Sequence, residues 1–190
     1  VTASGEIAKE ISFPKELLAI ERRHASEGIT KVGDTLWVAI QREWDGVPKN
    51  HVILASYNIE TEEWGAVLYP KAEPKTGWVG LSEITAYGEN VYIIERDNQI
   101  GENAVTKKIY KVSLDQMKPA SLDTPMEEMP IVVKEEVRDL LPDLTSTGGY
   151  VLDKVEGLAI TNDGTAYVST DNDGVDDHSG ETMFFRIGKL

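Results

Sequence analysis

Cysteine is absent from the 190 residues, which excludes a disulfide framework, a thiolate metal site and a cysteine nucleophile. No run of about 18 apolar residues occurs, so no helical membrane span is expected. The N-terminal VTASGEIAKE does not read as a signal peptide. Basic residues are scarce: 19 Lys and Arg stand against 33 Asp and Glu, a net charge of −14. That field repels a phosphate backbone and makes nucleic acid a poor partner. A small anionic substrate meets the same repulsion unless a bound cation reverses the local field. There is no HExxH, no G-x-S-x-G elbow, no P-loop, no dinucleotide fingerprint and no N-x-[ST] acceptor. Ser82 therefore does not read as a nucleophile. His24, His51 and His178 lack paired spacing, and only His178 falls in an acid-rich segment.

What is present is a repeat. Three segments align on their apolar positions: EGITKVGDTLWVAIQREW from Glu27, SEITAYGENVYIIERDN from Ser82 and EGLAITNDGTAYVSTDND from Glu156. Each reads as a strand, a glycine turn at Gly33, Gly88 or Gly164, and a second strand. Further strands are expected at Val52 to Tyr57, Trp64 to Tyr69, TKKIYKVSL, PIVVK and ETMFFRIGKL, with a leading strand in GEIAKEISF. Short helical turns are expected at Lys15 to Ile20 and Glu135 to Leu141. The apolar runs LWVAI and VYII suit strands buried on both faces.

Hydrophobic residues make up 41% of the chain, enough for a core of one domain. The fold class predicted is all-β, a β-propeller with about three four-stranded blades whose hairpins fall near 27–69, 81–133 and 156–187. Three blades make half of a larger ring or part of an assembled one. Its completion then needs a missing N-terminal half or self-association, unless a further blade lies hidden between the strands. The four tryptophans, Trp37, Trp44, Trp64 and Trp78, read as blade packing.

The motifs E-G-[IL]-[TA], S-E-I with a downstream E-R-D, and a final E-G-L-A followed by D-N-D resemble the phytase-like family described as having esterase-like activity of phytase. The resemblance runs over nearly the whole chain and matches the second half of that domain. It implies a bacterial, extracytoplasmic (periplasmic or secreted) propeller, related in fold to calcium-dependent phytases and acting on a phosphoester or ester.

Glu27, Glu83 and Glu156 stand at or within one residue of the start of each first strand, the innermost strand of a blade. Carboxylates converging there raise one another's pKa unless a cation neutralises them, and hard oxygen ligands suit calcium. Asp171, Asp173, Asp176 and Asp177 surround Gly174 with a composition like that of a calcium loop, although the EF-hand spacing fails. The alternatives are strand-capping glutamates and a solvated acidic loop. Glu95, Arg96, Asp97 and Asn98, with Asn172 in the third repeat, follow the second strands and are the candidate substrate contacts. Arg96 suits a phosphate by its fork of donors, or else pairs with a carboxylate. Two functions fit: a calcium-dependent phosphoester or ester hydrolase, or a non-catalytic, metal-stabilised propeller that binds or scaffolds.

Overall fold

A computed structural model of the chain describes residues 2–146, 148, 150–152, 154–172 and 182–190. It is all-β, with three antiparallel sheets and two short helices, α1 (Lys15–Leu18) and α2 (Leu141–Thr145). The first sheet holds β1 (Ser26–Val32), β2 (Thr35–Ile40), β3 (His51–Asn58), β4 (Trp64–Pro70) and the two-residue β8 (Ala120–Ser121), in that order. The second holds β5 (Val79–Tyr87), β6 (Asn90–Asp97), β7 (Lys107–Ser113) and β9 (Glu135–Asp139), and the third β10 (Val155–Ile160), β11 (Thr165–Thr170) and β12 (Phe184–Lys189). Four strands per sheet is thus met only in the second. Among the described residues no helix is long and apolar enough to cross a membrane.

The hairpins form where the glycines allow them. Val32 pairs with Thr35 and Tyr87 with Asn90 across two-residue loops that begin with Gly33 at φ 57° and Gly88 at φ 58°. A positive φ at that place matches the twist of the flanking strands. Two-sided burial follows from the continuous apolar runs: six successive residues of β3, Val52 to Tyr57, are buried. Trp37, Val52, Leu54 and Val67 of the first sheet share a core with Leu81, Ile84, Val91 and Ile93 of the second. A second core joins Tyr92, Ile94 and Ile109 to Val155, Leu158, Ala166 and Val168 of the third. The other face of the first sheet is covered by Leu17, Phe13 and Ile20 of the N-terminal segment. Each fully buried Leu or Ile side chain contributes about 1.5–3 kcal/mol.

Three expected elements differ. Glu135–Asp139 is an edge strand, not helix, because its charges find partners across the ladder: Lys108 to Glu136 at 2.8 Å and Lys111 to Glu135 at 3.2 Å. Helix begins only after Leu140, where Pro142 fits the first turn. PIVVK contributes only a parallel bridge from Ile131 to Leu68, and GEIAKEISF is irregular, held by Lys9 on Glu62 at 2.5 Å.

The first strands of the three sheets meet. Thr30 Oγ1 of β1 accepts from the Ala86 N–H of β5 at 2.9 Å, and Thr85 Oγ1 of β5 donates to the Leu158 carbonyl of β10 at 2.8 Å. Gly28 lets β1 come this close: a Cβ there would lie 2.6 Å from both Glu83 Oε1 and the Ile84 nitrogen. Any side chain would force the two backbones apart.

Candidate functional site

Each first strand carries one β-bulge, at Ser26/Gly28 in β1, Leu81/Glu83 in β5 and Val155/Gly157 in β10. The residue left over in each is Glu27, Ser82 and Glu156, and a bulge re-aims its side chain at a strand end. Ser82, not Glu83, is therefore the structural equivalent of the two glutamates. The spacing held this signal, since Glu27 and Ser82 each stand six residues before their turn glycines, Gly33 and Gly88. On the second strands the same register makes Gln41, Arg96 and Asp171 equivalent, each following the residue paired across the bulge.

These positions build one cluster. The Arg96 guanidinium, only 2% exposed, donates from Nη2 to Glu156 Oε1 at 2.7 Å and from Nε to Ser82 Oγ at 3.2 Å. It also stacks 4.9 Å from the Trp78 ring, and Arg42 lies 4.8 Å from the same ring. Gln41 Nε2 donates to Glu27 Oε1 at 2.9 Å, and among the described residues the buried Gln41 Oε1 has no hydrogen-bond partner. His24 adds its ring 6.1 Å from Trp78 and holds a left-handed φ of 73°, a backbone region that costs energy outside glycine and clusters at functional sites.

The electrostatics follow from this crowding. Burial, then Arg42, Arg23 and Arg96, holds the His24 imidazole below its ordinary value, so it is neutral at pH 7. Although Glu27 is exposed on its outer side, partial desolvation and then Glu156 raise its pKa above the ordinary carboxylate value of 4.5, against the pull of Arg96 and Lys154. A carboxylate whose pKa is raised on folding binds more protons folded than unfolded, so stability falls as pH rises from 4.5 through the raised value. Glu27→Gln is therefore expected to raise the melting temperature relative to wild type at pH 7, with a smaller advantage near pH 4.5. Equal differences at the two pH values would overturn this reading of Glu27.

The other expected residues separate. Glu83 turns its Oε1 onto the Ile84 N–H at 2.9 Å, and burial raises its pKa. Glu95 and Asp97 are fully buried and face away from the cluster: Glu95 accepts from Tyr69 Oη, Ala72 N–H and Lys134, and Asp97 from Val105, Thr106 and Gln99 N–H groups and Lys107. Asn98 Oδ1 accepts from the Trp78 N–H at 3.0 Å and so helps to hold that ring. Asp171 is exposed, its N–H bonded to the Lys154 carbonyl, and Asn172 is half-buried. Asp173, Asp176, Asp177 and His178 lie outside the described residues.

Glu27, Glu83 and Glu156 do not converge on one cation, since a guanidinium pairs with Glu156 and a backbone N–H holds Glu83. Among the described residues no group of three or more His, Asp or Glu side chains is placed to hold a metal ion. These three glutamates do not fit calcium as a ligand set, and the cluster sets the guanidiniums of Arg96 and Arg42 beside the carboxylates of Glu156 and Glu27. The reading from sequence missed Ser82, Gln41, Arg42, Trp78 and His24 as members of the cluster.

The cluster thus gathers Arg96 of β6 and Arg42, just past the end of β2, beside the bulged first strands. A family model described as phytase-like, esterase-like activity of phytase, matches residues 1–174. The chain belongs to this phytase-like family. No curated protein and no solved structure gives a significant match.

Proposed function

We propose that the three sheets are successive blades of a β-propeller, and that the chain hydrolyses an anionic ester, a phosphoester first, where β1, β5 and β10 meet. The blade reading is supported by the inter-sheet bonds of Thr30 and Thr85 and by the bulge repeated in each first strand. The observation that carries the function is the placing of two guanidiniums, Arg42 and Arg96, on one Trp78 ring in a chain of net charge −14. Planar, charge-assisted donors at that point give an anion a local exception to the repulsive field.

In this reading Arg96 is held in place by Glu156 and Ser82, and Arg42, half-buried, moves onto the incoming anion. Glu27, whose pKa is raised, and His24, whose pKa is lowered, are the titratable groups of the cluster suited to exchange a proton with the substrate. The buried Gln41 Oε1 accepts from a substrate hydroxyl or an attacking water. Calcium dependence through the acidic segment at 171–177 and an extracytoplasmic setting remain parts of the proposal, tested by chelation and by cell fractionation.

The test is turnover of 4-nitrophenyl phosphate and 4-nitrophenyl acetate by the wild type and by Arg42→Ala, with and without chelator. Loss of one charge-assisted contact costs about 1.5–3 kcal/mol, so Arg42→Ala is expected to lower kcat/KM for the phosphate by roughly ten- to a hundredfold and to leave the acetate nearly unchanged. Equal losses on both esters would overturn the anion assignment. A folded wild type that turns over neither favours the second reading, a non-catalytic binding module, which the existing ion pair of Arg96 with Glu156 supports.

A further inference from the structure

We infer that the cleft between the turn end of β3 and β4 and the segment 119–121 is a binding site for a neutral, polyhydroxylated ligand the size of one sugar ring. Strand register builds its floor. Thr35 stands opposite Asn58, Ser56 opposite both Trp37 and Gly65, and Gly65 opposite Ser121. Opposed residues, and residues two apart on one strand, share a face of a sheet. Thr35, Ser56, Asn58 and Ser121 therefore lie on the face of the first sheet that Trp37 turns to the second, and there they line a cleft of about 480 Å³. Trp64 borders the same cleft, but its ring packs on the other face, 5.4 Å from Phe13 and 5.1 Å from Tyr57. Recognition here rests on hydrogen bonds.

Several of those bonds are still to be made. Ser56 is only 3% exposed, yet its hydroxyl, which opens onto the cleft, has no hydrogen-bond partner among the described residues. A buried hydroxyl in that state costs free energy that a ligand recovers. Gly65 brings the far wall close to it: a Cβ there would lie 2.7 Å from the Ala120 carbonyl oxygen and 3.2 Å from Ser56 Oγ. Asn58 Oδ1 is committed to the turn, accepting from the Glu60 and Thr61 N–H groups at 2.9 Å each. Its Nδ2 keeps two donors with no partner among the described residues.

Hydroxyls, an amide and one carboxylate match a ligand whose groups donate and accept at once, which is what sugar hydroxyls do. Among the described residues no Lys or Arg lines the cleft, and Glu63 stands at its rim, held by Thr61 Oγ1 at 3.2 Å. An anion meets only repulsion there. The cleft is of ordinary size for a small ligand, and it shares no residue with the arginine cluster, so this inference does not rest on hydrolysis.

The experiment is an NMR titration of the ¹⁵N-labelled chain with D-glucose, D-galactose and D-mannose, for the wild type, Ser56→Ala and Asn58→Asp, with a thermal melt of each. Ser56→Ala removes only the unpartnered hydroxyl and is expected to melt no lower than the wild type. Asn58→Asp keeps the oxygen that caps the turn and removes both donors. One of the hexoses is expected to move the Ser56 amide and Asn58 side-chain signals with a dissociation constant of about 1–10 mM. Ser56→Ala is expected to weaken that binding by roughly three- to tenfold and Asn58→Asp by about tenfold or more. Sodium sulfate is expected to leave the same signals in place, and turnover by both variants to match the wild type. If no hexose moves these signals, the cleft holds water only and the inference fails. Equal shifts with sulfate, undiminished binding by both variants, or a clear drop in the melting temperature of Ser56→Ala would overturn it as well.

Discussion

Asp97→Ala is expected to lower folding stability by about 3–5 kcal/mol, the usual cost of removing one partner from a buried ion pair. Asp97 is 1% exposed and Lys107 is fully buried, with 3.0 Å between ammonium and carboxylate. The same carboxylate accepts from Val105 N–H at 2.8 Å, Thr106 N–H at 2.7 Å and Gln99 N–H at 3.2 Å, and so fixes the loop from β6 to β7. Alanine removes the charge and three acceptor contacts at once. Asparagine keeps one acceptor oxygen, and the expected order in a urea titration is wild type, Asp97→Asn, Asp97→Ala. A midpoint for Asp97→Ala within about 0.5 kcal/mol of wild type, the range of ordinary surface changes, would show that this network does not hold the loop.

How far the sequence reached is set by the range of each interaction. Hairpins are local: Gly33, Gly88 and Gly164 and the apolar runs around them lie within about ten residues, and all three pairs of strands form where the repeat put them. The bulges are also local, but one extra residue is invisible to an alignment on apolar positions, which is why Glu83 stood in for Ser82. The edge strand Glu135–Asp139 was hidden because its charged residues are satisfied by Lys108 and Lys111, more than twenty residues away. The arginine cluster was the least legible, since Arg96 meets Ser82 and Glu156 across fourteen and sixty positions. Only the assembled first strands bring these together.

Glu95 gives the sharpest case of neighbours in sequence with different tasks, and the second large effect is expected there. Successive strand residues point to opposite faces. Ile93 and Glu95 face the first sheet, and Ile94 and Arg96 face the third. Glu95 is fully buried, accepting from Tyr69 Oη at 2.6 Å and Ala72 N–H at 2.9 Å and pairing with Lys134, whose ammonium lies 4.0 Å from the Tyr110 ring and 5.0 Å from that of Tyr69. Burial holds Lys134 below its ordinary value and pushes Tyr69 well above its own, while Glu95 favours both protonated forms. Glu95→Ala strips a half-buried ammonium of its counter-charge and orphans a buried hydroxyl and a backbone N–H, at an expected cost of about 3–5 kcal/mol. The double variant Glu95→Gln with Lys134→Met removes both charges together and is expected to recover much of that loss, since an ion pair replaced whole is often nearly neutral. If the double variant is as unstable as Glu95→Ala, packing and not charge holds the two sheets here. Under conditions where Glu95→Gln remains folded, its turnover of an anionic ester is expected to match the wild type, and that of Arg96→Gln to fall. Loss of turnover in Glu95→Gln without loss of folding would put Glu95 at the substrate, against the face its strand gives it.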